Sequence, residues 1–306
     1  MAREKVLVTG GCGFIGHNLV LKLVEEGYDV SVADNLAGGD LRPRVEKVDY
    51  NYLDISDPVN ADRLLKLCQG ASYVFHLAAL PRVQYSIEEP VKTAQTNVVG
   101  TVAVLNAAYK AGIKRVVFAS SSSVYGDSDQ LPLVEHMEAD PISPYARHKL
   151  QGEEYCWDFS GEPFNLQTVC LRFFNVYGPG ADPNGAYALV IAKFLEQKRR
   201  GEPLTITGDG TQTRDFTHVS DVVRAIILAA QHQEGWWGDV VNIGGGRQVS
   251  VNEVASLIGG EVVNIPARLE PHDSLASIER AKELLGWEPQ VPIEQGIRQL
   301  LESNHL

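Results

Sequence analysis

The chain predicts an α/β fold built on a doubly wound parallel sheet, with a smaller C-terminal region. Three observations carry this expectation. Apolar, β-branched segments alternate with helical periodicities through the first half. A glycine-rich turn joins the first such strand to the first helix. After Asn175 the alternation loosens into turns and shorter helices.

In chain order, Lys5–Thr9 reads as a strand and Phe14–Glu26 as a helix closed by Gly27. Asp29–Ala33 reads as a second strand, Lys47–Leu53 as a weaker third and Tyr73–His76 as a fourth. Pro90–Ala111 reads as one long helix, Arg115–Ala119 as a fifth strand, Ser143–Phe159 as a helix and Leu166–Arg172 as another strand. Strands and helices in this order give parallel strands joined by right-handed crossovers. Beyond Asn175, Pro179–Gly185 is turn-rich, Gly201–Asp215 is polar and glycine-spaced, and Gly244–Gly246 breaks the pattern again. Helices are expected over Asp221–Gln231, Val251–Ile258, Ile278–Leu285 and Ile293–Glu302. No internal repeat or low-complexity linker separates the two regions.

Composition narrows the function classes. The 306 residues are 44% hydrophobic and 22% charged, ordinary for a globular enzyme-sized chain. A net charge of -12 argues against a general surface for nucleic acid or anionic membrane. No apolar run approaches the roughly 18 residues needed to span a bilayer. The N-terminus lacks the pattern of a signal peptide. Four scattered cysteines form no Cys-x-x-Cys, which predicts reduced thiols in a cytoplasmic protein. The histidines form no His-x-x-x-His pair, so no metal site is expected.

Strand Val6–Thr9 feeds Gly10-Gly11-Cys12-Gly13-Phe14-Ile15-Gly16 and then a helix. Positions 11, 13 and 16 fit Gly-x-Gly-x-x-Gly, and positions 10, 13 and 16 fit Gly-x-x-Gly-x-x-Gly. Glycines permit a tight turn and close backbone approach to a pyrophosphate, which the amides and dipole of the helix N-terminus attract. Asp34 follows about 20 residues later at a strand end. A carboxylate there accepts hydrogen bonds from ribose hydroxyls and repels a 2′-phosphate, so NAD is expected rather than NADP. Downstream, Tyr145 and Lys149 stand four residues apart, which stacks them on one helix face. An ammonium beside a phenol is expected to lower the tyrosine pKa from its reference of about 10. A tyrosine so tuned takes a proton from an alcohol while a nicotinamide takes the hydride, which suggests alcohol–ketone redox chemistry.

These segments, with His76-Leu77-Ala78-Ala79, Asn97, the serine run before Val124-Tyr125-Gly126, and Leu171-Arg172-Phe173-Phe174-Asn175-Val176-Tyr177-Gly178, resemble the extended short-chain dehydrogenases/reductases. Gly208–Phe216 and Leu284-Leu285-Gly286-Trp287 extend the resemblance almost to the C-terminus. Within that family the chain is most similar to UDP-sugar 4-epimerases of the UDP-glucose and UDP-N-acetylglucosamine type. The resemblance implies a Rossmann domain over 1–174 with about 214–243, interleaved with a smaller nucleotide-sugar domain over about 175–213 with 244–306.

It also implies roles. Gly10, Gly13, Phe14, Ile15 and Gly16 would cradle the NAD pyrophosphate. Asp34 and Asn35 would hold the adenosine ribose, and Asp54 and Ile55 the adenine edge. Leu77, Ala78 and Ala79 would line the cofactor, with Asn97 beneath it. Ser121, Tyr145 and Lys149 would be catalytic, and the latter two would also touch the cofactor. Ser121, Ser122 and Tyr145 would face the sugar, Asn175, Arg214 and Arg268 the nucleotide diphosphate, and Ser274 the hexose 2-substituent. Serine is small there, so N-acetylated and plain UDP-hexoses are both expected as substrates. Pro81 and Arg82 stand where many sugar epimerases carry a lysine, and Ser277 replaces a common aspartate.

The same resemblance implies a homodimer formed through Pro90–Ala111 and Ser143–Phe159. Related 4,6-dehydratases and decarboxylases carry acids after the catalytic serine or threonine. Ser122 and Ser123 here are poor acids for elimination. A UDP-glucuronate 4-epimerase, a 4-ketoreductase and a catalytically silent NAD-binding sensor stay open as alternatives.

Overall fold

A computed structural model describes residues 3–38, 43–183, 189–266 and 272–306. The chain divides into two compact units. The first comprises Met1–Val124, Pro141–Arg172 and Val223–Val241, and the second Tyr125–Asp140, Phe173–Val222 and Asn242–Leu306.

The first unit starts with β1 (Lys5–Thr9), α1 (Phe14–Glu25), β2 (Asp29–Asp34) and β3 (Asp49–Tyr52). There follow α2 (Ala61–Cys68), β4 (Tyr73–His76), α3 (Val83–Glu88), α4 (Pro90–Ala94) and α5 (Gly100–Ala111). Next come β5 (Arg115–Ser121), α6 (Pro144–Ser160) and β6 (Gln167–Phe173). The chain continues with β7 (Val176–Tyr177), α7 (Val190–Arg199), β8 (Leu204–Thr207), β9 (Thr213–Asp215), β10 (Thr217–His218) and α8 (Val219–Gln231). It ends with β11 (Trp237–Ile243), β12 (Gln248–Ser250), α9 (Val251–Ile258), β13 (Val262–Ile265), α10 (Glu279–Leu285) and α11 (Ile293–Ser303).

Seven strands form the central sheet in the order β11-β6-β5-β4-β1-β2-β3. The pairs β1–β2, β1–β4, β2–β3 and β4–β5 are parallel. The doubly wound sheet expected from the sequence is therefore present. Sequence order reverses between β1 and β4, the switch point beyond whose strand ends ligands bind in open α/β sheets. Leu7, Val74, Val116 and Phe118 from the strands pack with Leu64 and Leu67 of α2, Val104 and Leu105 of α5, and Cys156 and Phe159 of α6. Gly152 on α6 lies against the Phe118 ring, where a Cβ would overlap it. The second unit has its own core, in which Phe194, Leu204, Ile206, Val254 and Ile297 are buried together.

Local sequence explains the boundaries. Ser143 does not open α6 but caps it, accepting the Ala146 amide at 3.2 Å, and Pro144 occupies the first turn. Lys47 has φ 65°, a left-handed conformation outside the strand range, so β3 begins only at Asp49. Pro90–Ala111 is not one uniform helix. A five-residue π-helical turn, Gln95–Val99, separates α4 from α5. The short helices α2 and α3, and α7, add to the expected set.

The domain boundary also differs from expectation. Tyr125–Asp140 and residues 214–222 fall in the second unit. The Leu133 amide donates to the Leu275 carbonyl at 2.7 Å, and the Ser277 amide to the Leu133 carbonyl at 2.8 Å. Asn242 Nδ2 donates to that same Leu133 carbonyl at 3.0 Å, and the Tyr125 hydroxyl to Asn242 Oδ1 at 2.7 Å. Arg214 and Asp215 belong there because β9 pairs antiparallel with β12.

One buried cation ties the first unit together. Arg115, at the start of β5, is almost fully buried. Its guanidinium donates to the carbonyls of Ala229, Ala230, His232 and Glu234 at 2.7–3.1 Å, and to Gln167 Oε1 at 2.6 Å. It thereby satisfies carbonyls at the negative C-terminal end of α8. Arg115→Met keeps most of the volume and orphans these acceptors. The expected loss is about 3 kcal/mol of unfolding free energy, on the scale of hydrogen bonds to charged groups. Urea unfolding measures it, and a change under about 0.5 kcal/mol, the range of ordinary surface substitutions, would contradict this role.

Candidate active site

The turn after β1 is shaped by what its glycines lack. Gly10 has φ 73°, and a Cβ there would sit 2.6 Å from the Ala78 backbone nitrogen. At Gly16 a Cβ would overlap the Gly10 carbonyl. The missing side chains thus let the turn at Gly10 pack against the loop after β4 and the first turn of α1 close back onto that turn. Gly13 is the N-cap of α1, with no side chain capping the helix. The first-turn amides around Phe14 and Ile15 therefore form an anion cradle of the kind a dinucleotide pyrophosphate needs. The residues present fit NAD.

Asp34 ends β2. Its Oδ2 accepts the Cys12 amide at 2.9 Å and its Oδ1 the Leu36 amide at 2.8 Å. These bonds fix the carboxylate while its remaining lone pairs can serve ribose hydroxyls. Asn35 donates to Asp54 Oδ2 at 3.0 Å. Burial alone would raise the Asp54 pKa, but the Ser56 hydroxyl and amide, with Asn35, bring it below the usual range. Asn35 and Asp54 line a cavity of about 370 Å³ with Leu80, Lys92 and Gln95. Ile55 is buried in the core cluster, close enough to α5 that a Cβ at Gly100 would press on it. Its side chain therefore packs the core.

Leu77, Ala78 and Ala79 follow β4 directly and are half-buried. A polar chain holds them. Asn97, in the π-helical turn, accepts the Leu80 amide at 2.7 Å and donates to the Leu80 carbonyl at 3.1 Å. Thr101 spends its hydroxyl proton on the Asn97 carbonyl at 2.7 Å. The His76 Nε2 contact with Thr101 Oγ1 at 3.0 Å then requires His76 to be the donor. Nδ1 of the same ring consequently accepts from Thr9 Oγ1 at 2.7 Å. Burial, assisted by the Lys149 charge, pushes the His76 pKa down to about 3, so the ring is neutral.

Ser121 lies at the end of β5 and accepts the Ser123 amide at 3.2 Å. Tyr145, in the first turn of α6, lies beside Ser121, whose hydroxyl acts to lower its pKa. The buried Ser86 hydroxyl accepts the Tyr145 amide at 3.0 Å. Lys149 follows one turn later, with Nζ 5.9 Å from the Tyr145 ring centroid. Ser121, Tyr145 and Lys149 are therefore brought together, and Ser122 adjoins them in the 3-10 turn Ser122–Tyr125.

The electrostatics correct one expectation. Tyr145 is pushed up to about 12, chiefly by burial, with the Ser121 hydrogen bond acting the other way. Lys149 donates to the Ala119 carbonyl at 2.6 Å, and burial pushes it down to about 8. Helical spacing places the ammonium near the phenol, but burial of both groups overrides the expected lowering.

In the second unit, Asn175 adopts φ 28°. Its Nδ2 donates to the Asp215 carbonyl at 3.0 Å and to Ser274 Oγ at 3.4 Å. Ser274 Oγ also accepts the Asp215 amide at 3.3 Å. Arg214 donates to the carbonyls of Thr213 and His272 at 2.9 and 3.0 Å. Asn175, Arg214 and Ser274 are thus gathered around β9, while Arg268 lies outside the described residues.

Sequence reasoning missed the group that gathers them. Asp215 is fully buried, and its carboxylate accepts the amides of Gly245, Gly246 and Ala276 at 2.5–3.1 Å. Burial pushes its pKa up to about 6 against these donors. A Cβ at Gly245 would sit 2.5 Å from the Phe216 carbonyl, which explains the glycine run. The run of glycines after β11 was the available signal.

Among the described residues no cluster of His, Cys, Asp or Glu could hold a metal ion. No described helix is long and apolar enough to cross a membrane.

The NAD dependent epimerase/dehydratase family model matches residues 6–244. A UDP-glucose 4-epimerase from Thermotoga maritima, solved with UDP-glucose, has a TM-score of 0.92 at 39% identity and covers 97% of each chain. A UDP-N-acetylglucosamine 4-epimerase from Methanobrevibacter ruminantium, solved with UDP-N-acetylmuramic acid, has a TM-score of 0.91 at 34% identity, covering 99% of this chain and 98% of its own. A UDP-glucose 4-epimerase from Thermus thermophilus, solved with NAD, has a TM-score of 0.90 at 32% identity, covering 98% and 99%.

The cradle makes its own prediction. Gly10→Ala adds a side chain at positive φ and drives it into the Ala78 backbone. NAD affinity should fall at least about tenfold, equivalent to ~1.4 kcal/mol. Calorimetric titration of cofactor-stripped protein measures this, and unchanged affinity would mean the turn does not cradle the dinucleotide.

Proposed function

Because the chain belongs to the NAD dependent epimerase/dehydratase family, we propose that it inverts C4 of UDP-hexoses through a transient 4-keto sugar. The observation that carries this reading is Tyr145 placed beside Ser121, with the Lys149 ammonium one helical turn away. When bound, NAD supplies a hydride acceptor at C4 and a positive charge beside the phenol. Tyr145 Oη takes the proton of the 4-hydroxyl, Ser121 Oγ holds that oxygen, and the proton returns to it once the sugar presents its other face.

Magnitudes show why one lysine is not enough. Bringing a phenol from about 12 to 7 corresponds to ~7 kcal/mol. A unit charge roughly 6 Å away in a medium of effective dielectric about 20 contributes ~3 kcal/mol. The protein alone therefore keeps Tyr145 neutral, and a second cation is needed to ready it as a base. This couples proton abstraction to the loaded state. The hydrogen taken from C4 would return to the same carbon within one turnover, so no net reductant would be consumed.

Ser274, half-buried and braced against Asn175, is small enough to leave space for a 2-N-acetyl group. We therefore include UDP-N-acetylglucosamine and UDP-N-acetylgalactosamine with UDP-glucose and UDP-galactose as substrates. Asn175 and Arg214 would grip the diphosphate, Arg214 through charge-assisted bonds. We also place the protein in the cytoplasm, as a homodimer. Val91 and Trp157, 82% and 66% exposed, stand on the helical segments proposed to pair.

Incubation with each UDP-sugar, without added reductant, followed by NMR of the products, tests the reaction. Tyr145→Phe should stay folded and lose at least about 10²-fold in kcat, the usual scale for a removed general acid–base group. Near-normal turnover in that variant would route the proton elsewhere.

A further inference from the structure

Behind the catalytic set lies a buried charge pair that the proposed reaction does not use. Glu153 stands one turn beyond Lys149 on the same face of α6. Both residues are buried, as are Arg172 on β6 and Ser120 on β5. Arg172 grips the Glu153 carboxylate through two bonds, Nε to Oε1 at 2.9 Å and Nη2 to Oε2 at 2.7 Å. Ser120 Oγ donates to Oε1 at 2.5 Å. Ser120 lies between Ala119, whose carbonyl takes the Lys149 ammonium, and Ser121, which stands beside Tyr145. One carboxylate thus braces the strand end that supports both partners of the phenol.

We propose that Glu153 is a positioning residue whose negative charge keeps the Lys149 ammonium protonated inside the site, and so sets the alkaline limit of turnover. The proposal rests on the reading that Tyr145 and Lys149 carry the reaction. The surroundings of Lys149 offer little else to hold its proton. From α6 it faces Tyr145, Glu153 and Cys156, from β6 Cys170, with Arg172 bound to Glu153, and from β4 the neutral His76. From β5 it meets the Phe118 ring at 5.0 Å and the Ala119 carbonyl. The thiols of Cys156 and Cys170 are buried, and Cys170 is held well above its ordinary pKa. Glu153 is thus the one carboxylate in this set, and burial already favours the neutral amine.

The sign follows. Removing the carboxylate takes away an attraction for the ammonium. In the single substitution it also takes the Glu153 carboxylate away from Arg172, a neighbouring cation. Both changes make Lys149 release its proton at lower pH. Glu153→Gln should move the alkaline limb of kcat down by about one pH unit, a tenfold change in the proton equilibrium. At pH 6.5, kcat should stay within about threefold of the wild type. KM for UDP-glucose should hardly change, because the carboxylate touches no group proposed to bind the nucleotide.

Breaking one partner of a buried pair strongly destabilises a fold, whereas removing both together is often tolerated. The paired variant Glu153→Met with Arg172→Met therefore runs alongside, and its limb should move in the same direction. A second readout needs no turnover. The titration of Lys149 Nζ in ¹⁵N-lysine-labelled full-length protein, assigned against Lys149→Met, should shift to lower pH in both variants.

If the limb and the Nζ titration stay in place while kcat falls equally at all pH values, Glu153 is merely structural and the proposal fails. Loss of folding in the paired variant also overturns it, by assigning the pair to core stability. Wild-type protein that epimerises no UDP-sugar would instead sink the functional reading, whatever the Nζ titration shows.

Discussion

A lysine ammonium held at 5% exposure is the constraint around which the first unit's site is organised. Burying a charge is costly unless hydrogen bonds and opposite charge compensate it. Here the compensation comes from the Ala119 carbonyl and, one helical turn away, Glu153. Those needs fix where α6 must lie. Gly152, between the lysine and the glutamate, removes the side chain that would otherwise hold the helix off the Phe118 ring. The same docking brings Tyr145 to Ser121 at the end of β5.

Burial also explains how a phenol can wait in an unreactive form. Desolvation keeps Tyr145 protonated and depresses Lys149 toward neutrality. A base that forms only when further positive charge arrives does not react with every alcohol that enters. The surrounding polar chain from Thr9 through His76 and Thr101 to Asn97 is fully directional, and its histidine is neutral. It positions main chain around the cofactor cradle without adding a competing charge.

Local chemistry was readable in the sequence wherever a few consecutive residues decide it. The strand–glycine–helix turn and Asp34 at the end of β2 are of this kind. The Tyr145–Lys149 pair was visible from spacing alone, yet the direction of the tyrosine shift was not, because spacing carries no information about burial. Asn97 was expected beneath the cofactor. That it clamps the Leu80 main chain depends on a π-helical turn that a uniform periodicity over Pro90–Ala111 conceals. Asp215, Glu153 and Arg115 went unseen because their partners lie tens of residues away in the chain. Arg268 falls outside the described residues.

The central claim is that C4 is oxidised and reduced within one turnover, with Tyr145 handling the proton. The most direct measurement uses UDP-glucose carrying deuterium at C4, incubated with purified protein in ordinary water without added reductant. The account predicts UDP-galactose that retains deuterium at C4, because the hydride that leaves the carbon returns to it. Product with protium at C4, drawn from solvent, would contradict the account and point to inversion by deprotonation at carbon.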